Sequence, residues 1–336
     1  MPKVGSRSYT LELEDTYKDK SIAIEPHTEI QFDITMAMYT ELSIGWIKIY
    51  NPDSYLKDFI LYKNPVGDQK NRLYVNLKPM VLGSTASGAT SYNYCGSTKA
   101  YVYQTTLVHP NAKEEYIHLQ LLSGLYDLFS ETITTEENAT VNTALTQVKN
   151  KLSSLGYPMS YIGPLNTNLN PFAGIYTVKD MLDTLLKIDN GSFSYLEDLS
   201  LKIVDTGVGK GKGSRGNLGS YSNPFPVEID TGLMSYPQQV NNDVKFKFTL
   251  DHKFPLDSYV RIPKELINMQ LVTPSLSAGA GGLNWLLGSE DKYRVLSYEL
   301  IGDYKDPETW YQIVTAQAGN MPLAANLTNQ TKIGVL

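Results

Sequence analysis

A glycine-rich segment carries the one spacing in this sequence that is typical of phosphate binding. Gly211, Gly213 and Gly216 fit the pattern G-x-G-x-x-G, and a strand is predicted just before them. Phosphate binding by this pattern requires a helix after the glycines, because the helix N-terminus supplies the N–H groups that meet the anion. No amphipathic helix follows, and the full P-loop spacing is absent. We therefore predict no nucleotide cofactor and interpret residues 207–220 as a flexible, basic loop that tethers the chain or contacts a partner.

Residue types that bind metals or act as nucleophiles are few and scattered. The four histidines, His27, His109, His118 and His252, show neither an HExxH motif nor any paired metal spacing. The single cysteine, Cys95, excludes an intrachain disulfide and a multi-cysteine zinc site, and it lacks the local signature of a cysteine nucleophile. No G-x-S-x-G elbow occurs. The sequence therefore predicts no catalytic residue, no cofactor-binding residue and no metal ligand.

Paired acids are the remaining candidates for chemistry. Glu114 and Glu115 form one pair, and Glu136 and Glu137 form another. Glycosidases use two carboxylates that come from anywhere in a chain, so a hydrolase of sugars or of the cell wall stays open as an alternative. Both pairs lie in polar segments, where acids are most often solvated surface groups. We therefore interpret them as surface residues.

Composition and charge narrow the function classes. The chain has 336 residues and a formal net charge of −6, without the basic stripe that tight nucleic-acid binding requires. No run approaches the roughly 18 apolar residues that cross a bilayer, and the N-terminus lacks the apolar core of a signal peptide. We expect a protein made in a cytoplasm. Its 24 tyrosines, against 9 phenylalanines, suit sheet surfaces and protein interfaces, although β proteins also use tyrosine generally.

The clearest structural element is the stretch from Glu29 to Asn51. Apolar residues alternate with polar ones on both sides of a short polar break, which is the period of half-buried strands and predicts a β-hairpin. The apolar positions change phase near Gly45 and Trp46, which suggests a β-bulge. Asn51, Pro52 and Asp53 then form a predicted turn. Alternation predicts further strands in residues 9–25, 72–77, 101–108 and 116–122.

Three other segments of the first part are less regular. Residues 55–62 are compatible with a helix or a strand, and periodicity does not decide between them. Residues 83–98 are poor in charge and rich in glycine, serine and threonine, which predicts a long surface loop. Residues 275–288 form a second predicted flexible loop, which contains Trp285 and two leucines.

Two helices are predicted in the middle of the chain. The first runs from Thr135 to Gly156, with one apolar face and a glycine stop. The second runs from about Val178 to Asp189, with Thr177 as its N-cap and Asp180 near the position of a capping-box acid. After Leu199, alternating strands return. The apolar face of the first helix consists of Val141, Leu145, Val148, Leu152 and Leu155.

This order of elements predicts a mainly β protein with an α/β insert. We expect two similar antiparallel β-barrel domains that flank a small helical α/β domain. The predicted boundaries are residues 1–128 for the first barrel, 129–200 for the insert with its two helices, and 201–336 for the second barrel. A chain of this length is too large for one ordinary core.

Three segments, in order and spaced over nearly the whole chain, resemble the hub proteins of phage tail baseplates. Residues 32–51 resemble the family's opening hairpin, in which an F-D-I strand leads to an I-x-I-Y-N strand. Residues 230–237 are similar to its G-L-hydrophobic-x-x-P segment, and the strands through residue 262 follow. Gly302-Asp303 before Trp310 looks like its closing hairpin. One departure is Asp257, which stands where the family has glycine.

The resemblance implies a structural role without catalysis. Hubs of contractile tails carry two barrels per chain, and three chains form a ring with pseudo-sixfold symmetry. One face of the ring receives the tail tube and the other holds the trimeric central spike, with a channel for the genome. The expected partners are two further copies of the chain, the tube protein, the spike protein and other baseplate proteins in a virion tail. A receptor- or carbohydrate-binding tail protein stays open as a second alternative.

Overall fold

The structure is a computed structural model, and it describes most of the chain. The described residues are 7–15, 20–38, 44–61, 73–84, 90–122, 131–154, 159–160, 172–188, 193–204, 223–240, 243–268, 291–306 and 308–318. The helices described are α1 (Ser54–Leu61), α2 (Val141–Ser154) and α3 (Val178–Ile188). The strands described are β1 (Arg7–Asp15), β2 (Lys20–Ile24), β3 (Ile30–Ala37), β4 (Ile44–Tyr50), β5 (Leu73–Ser84), β6 (Thr90–Tyr94), β7 (Thr98–Val108), β8 (Tyr116–Leu122), β9 (Thr132–Ala139), β10 (Met159–Ser160), β11 (Phe172–Thr177), β12 (Phe193–Glu197), β13 (Ser200–Val204), β14 (Phe225–Pro226), β15 (Gln238–Val240), β16 (Asp243–Thr249), β17 (Tyr259–Arg261), β18 (Lys292–Asp303) and β19 (Trp310–Ala318).

The predicted opening hairpin is confirmed as the pair β3–β4. Its register is unbroken from Ile30 opposite Ile49 to Ile34 opposite Gly45, so the predicted bulge near Gly45 is wrong. The apolar positions of the sequence change phase there because Trp46, although apolar, lies on the half-buried outer side of β4. Gly45 is required by close packing, because a Cβ there would stand 2.8 Å from the carbonyl oxygen of Asp33.

Most of the described strands join one large sheet. Its hydrogen-bonded order is β15-β16-β19-β18-β3-β4-β8-β7-β5-β1-β2, while β14, β17 and β6 pair beside this path. The prediction of a mainly β protein with a helical insert is therefore confirmed. The described strands do not close into a barrel. β3 bonds β4 on one side and β18 on the other, so the two ends of the chain share a sheet, and the end strands β15 and β2 do not close it.

The contact between β3 and β18 is packed around an aromatic ring. Gly302 lies opposite Phe32 in the register, and a Cβ on this glycine would stand 2.2 Å from the ring of Phe32. The same ring meets Trp310 edge to face, with ring centres 5.2 Å apart. Phe32 and Trp310 are each 1% exposed. Only glycine lets the two strands and the ring occupy this space.

The smaller strands confirm several sequence predictions and correct one. Residues 9–25 form the hairpin β1–β2, and β7 pairs with β8. The segment that periodicity left open between helix and strand is helix α1, Ser54–Leu61. Asp53 caps this helix, because its carboxylate accepts the N–H of Leu56 at 2.7 Å. The predicted surface loop at 83–98 is wrong for the described residues, because β5 extends to Ser84 and residues 90–94 form β6, which pairs with it. Residues 85–89 lie outside the described part of the chain.

The insert has its own hydrophobic core. The first predicted helix begins later than expected, at Val141, because residues 132–139 form strand β9 and pair with β11. The second predicted helix is confirmed as α3. Thr177 caps it, since its hydroxyl accepts the N–H of Asp180 at 3.0 Å and donates to the Asp180 carboxylate at 2.7 Å. The buried residues that form this core are Ile133, Val141, Ala144, Val148, Leu152, Val178, Met181, Leu182, Leu185 and Leu201.

We predict that Gly302→Ala destabilises the chain by about 2 kcal/mol, because the added methyl group overpacks the Phe32 ring. Urea unfolding followed by tryptophan fluorescence measures this loss. Phe32→Leu makes room for the methyl group, so the double variant should lose less than the sum of the two single variants. Additive losses would contradict the proposed contact.

Candidate assembly surface

Cys95 is held in the core as a neutral thiol. It is 1% exposed, and its Sγ donates to the carbonyl oxygen of His252 at 3.3 Å. Burial raises the pKa of the Cys95 thiol to about 12. The thiolate is the reactive form, so this residue is no nucleophile in the folded chain.

The histidines lie apart and have structural surroundings. His252 stacks on Phe225 with ring centres 3.8 Å apart, and burial lowers its pKa. His118 meets Trp46 edge to face at 6.0 Å, and burial, with a contribution from Lys48, lowers its pKa. His27 and His109 are exposed, and they lie on different loops. Among the described residues, no group of three or more histidine, cysteine, aspartate and glutamate side chains is placed to hold a metal ion.

The acid pairs do not build a catalytic site in the described part of the chain. Glu115 forms an ion pair with Lys57 of α1, and Glu114 accepts a hydrogen bond from the Asn111 amide at 2.8 Å. The ion pair joins the turn between β7 and β8 to helix α1, and the hydrogen bond lies within that turn. Glu136 and Glu137 belong to β9, and their side chains lie outside the described residues. The glycine-rich loop at 207–220 also lies outside them.

One buried ion pair was not predicted from the sequence. Arg294 and Asp257 are each 3% exposed at the side chain and form a salt bridge. Asp257 has φ 66°, a left-handed backbone that aspartate tolerates better than most residues. The resemblance places glycine at this position, and that was the sequence signal for such a backbone. A buried pair of this kind is structural, because removing either charge leaves the other uncompensated.

The outer face of the sheet is unusual in its mixture of aromatic rings and charges. We define the outer face as the alternate residues of β16, β19, β18, β3, β4 and β8 that point away from the core. Lys48 Nζ lies 4.8 Å from the Trp46 ring centre and 5.4 Å from that of Tyr116. Lys247 Nζ lies 3.4 Å from the Tyr311 ring centre. These lysines cover the rings with their aliphatic stems and keep their charged ends in water.

Two acids lie at the centre of the outer face. Asp33 belongs to β3 and Glu299 to the neighbouring β18, two residues apart in the register and therefore on the same face of the sheet. Burial raises the pKa of Asp33. Burial also raises the pKa of Glu299, and the nearby Asp33 charge adds to the effect. The aromatic rings of this face are of the residue types that are enriched at protein-binding surfaces.

Apolar side chains are also exposed next to the β15 edge of the sheet. Ile229, Tyr236 and Val240 are each about half exposed, at 53%, 55% and 48%. The backbone of this edge is partly covered, because Gln239 N–H donates to the carbonyl oxygen of Asn268 at 3.1 Å. That bond limits uncontrolled strand pairing. Among the described helices, none is long and apolar enough to cross a membrane.

Comparison with solved structures identifies the fold. A 43 kDa tail protein of prophage MuSo2 from Shewanella oneidensis matches with a TM-score of 0.50 at 8% identity, over 93% of this chain and 98% of that one. A tail protein from Neisseria meningitidis MC58 matches with a TM-score of 0.51 at 10% identity, over 92% and 96%. The chain has the fold of phage tail proteins. A chain of the lidded Francisella PdpA–VgrG complex shares this fold, with a TM-score of 0.51 at 10% identity over 96% of this chain and 54% of that one.

The phage tail fold confirms the resemblance to baseplate hub proteins at the level of structure. No family model matches the sequence, and no curated protein matches it. Identities of 8–10% lie far below the range in which function follows from similarity. The likeness therefore concerns the fold alone.

Thiol titration tests the state of Cys95. We predict no measurable reaction with a disulfide reagent in native buffer and one equivalent in denaturant, because the folded chain buries and protonates the thiol. The chain has a single cysteine, so the stoichiometry is unambiguous. Rapid reaction of the native protein would contradict the buried position.

We predict that the lowered pKa of His252 makes the fold less stable in acid. Because its folded pKa is lowered, the unfolded chain binds a proton first, and the free energy of unfolding falls as pH drops below about 6.5. Asp243 acts in the opposite direction, since burial raises its pKa to about 6 and its protonation stabilises the fold as pH falls through that value. His252→Gln should therefore reduce the loss measured by urea unfolding between neutral and mildly acidic pH.

Two variants control this measurement. His27→Gln alters an exposed ring and should leave the pH dependence unchanged. Asp243→Asn removes the opposing group and should steepen the loss. Equal slopes for the wild type and His252→Gln would show that this ring does not titrate as its burial requires.

Proposed function

We propose that this protein is a non-enzymatic structural hub of a phage tail baseplate. In this proposal three chains form a ring that adapts the sixfold tail tube to the trimeric central spike. The ring leaves a channel through which the genome passes during ejection. The hub belongs to a contractile-type tail, is assembled in the host cytoplasm and is carried in the virion.

One observation carries the proposal: the fold match extends over nearly the full length of two tail proteins as well as of this chain. The coverage is 98% and 96% of those proteins, so the likeness is not confined to a common module. A third similar chain comes from the Francisella PdpA–VgrG complex. Association with a spike protein is therefore part of the proposal, together with the tube protein and other baseplate proteins.

The chemistry of the described residues agrees with a structural role. Cys95 is buried and neutral, and the histidines are dispersed. The outer face presents Trp46, Tyr116 and Tyr311 with their covering lysines, which suits contact with other proteins. We accordingly propose no catalytic residue, no cofactor and no metal.

Charge and domain organisation complete the proposal. Three chains carry a formal 3 × (−6) = −18, which suits a channel that DNA crosses without being held. We propose no stable insertion of the hub into a membrane. We propose that residues 1–128 and 201–336 form two similar barrel-like halves around the insert at 129–200. Six such halves in a trimer would provide the pseudo-sixfold symmetry that a tube requires.

Imaging of the purified full-length chain tests the proposal. We expect negative-stain class averages to contain threefold rings with an open centre and six similar outer lobes. Light scattering after size-exclusion chromatography should give three times the monomer mass. A chain that stays monomeric alone and after mixing with the spike protein of the same phage would overturn the hub. Specific binding of that monomer on a glycan array, or peptidoglycan clearing on a zymogram, would identify the alternative.

A further inference from the structure

The β12–β13 hairpin of the insert belongs to two hydrophobic cores at once. Tyr195, Glu197 and Lys202 share one face of the hairpin in the register, and Leu201 lies on the other face. Leu201 is part of the insert core. Tyr195 is 3% exposed and part of the core of the large sheet, where its hydroxyl donates to the carbonyl oxygen of Leu256 at 3.3 Å. The alternation of a strand thus joins the insert to the sheet.

The tip of this hairpin has a constrained backbone. Only Asp198 and Leu199 separate the paired residues Glu197 and Ser200, and both have positive φ, 51° and 62°. Two-residue hairpin loops adopt this conformation because its twist matches that of the strands. Asparagine and glycine favour it, whereas leucine is disfavoured by its Cβ. A leucine at this position therefore needs contacts elsewhere to hold the turn.

The contacts of Asp198 reach residues that precede the insert in sequence and residues that follow it. The Asp198 carboxylate accepts the N–H of Lys99 at 3.1 Å and forms an ion pair with Lys253. Lys253 also donates to the carbonyl oxygen of Ser97 at 2.6 Å. One carboxylate thus contacts the start of β7 and the loop that follows β16.

Glu197 anchors the hairpin beside this bridge. Its side chain is 2% exposed, its carboxylate accepts the N–H of Leu256 at 2.9 Å, and it forms an ion pair with Lys202. The next residue after Leu256 is Asp257, which carries the buried ion pair with Arg294. The tip therefore rests on a segment that is itself fixed to β18.

We propose that the β12–β13 tip is a lock that fixes the two ends of the chain relative to each other. The sheet joins them along β3 and β18, and two strands paired along one line can still twist about that line. Attachments away from that line restrict this freedom. Asp198 adds one through the insert, beside the direct bonds from Cys95 to the carbonyl oxygen of His252 and from Lys253 to that of Ser97.

Hydrogen–deuterium exchange of the full-length chain tests the lock. Asp198→Ala removes both contacts of the carboxylate and should raise amide exchange at least tenfold in residues 95–99 and also in residues 253–257. The amides that pair β3 with β18 should change less than twofold. Asp183→Ala is the matched control, because it removes an ion pair with Lys179 inside the insert and should leave both segments unchanged.

A second variant, made in the constrained turn, should change amide exchange in the opposite direction. Leu199→Gly relieves the left-handed backbone and should slow exchange in both segments, whereas loss of a mere packing contact would speed it. The lock is wrong if Asp198→Ala speeds exchange only within β12 and β13, or equally in β3 and β18, or nowhere. The measurement uses the single chain, so it separates failure of the lock from failure of ring assembly.

Discussion

The hydrogen-bonded contact between β3 and β18 is the constraint on which the rest of the fold depends. It joins residues 31–37 to residues 297–303, so strands from opposite ends of the chain become neighbours in one sheet. Loop closure over such a separation is costly, and only extensive burial offsets it. Phe32 and Trp310, packed over Gly302, provide that burial where the two ends meet.

The polar residues of the interior serve architecture. The Arg294–Asp257 pair fixes a left-handed turn, and Glu197 holds the backbone of the same loop through Leu256. Buried charges stabilise little by themselves, but they specify a single arrangement when every partner is present. Cys95 and His252 fit the same description, since one donates to the backbone of the other. Chemistry-bearing residue types are present in this chain, and the fold uses them as packing and hydrogen-bonding groups.

The outer face of the sheet, opposite the hydrophobic core, combines aromatic rings with charged side chains. Its rings are covered by lysine side chains, as Lys247 covers Tyr311, and its central acids are already partly desolvated. At the β15 edge, the bond from Gln239 to Asn268 limits strand addition while Tyr236 and Val240 remain exposed. Both features suit contacts with defined partners.

The sequence by itself determined the elements, because strand and helix periods are local. The alternation from Ile30 to Ile49 predicted the β3–β4 hairpin, and Thr177 with Asp180 predicted the capped start of α3. Local pattern misplaced the start of α2 and missed β6, since pairing with β11 and β5 decides both. Pairing of β3 with β18, the burial of Cys95 and the contacts of Asp198 were decided only by the tertiary structure. They join residues up to 272 positions apart, as Gln31 and Asp303 are joined by a hydrogen bond, and no local period encodes such distances.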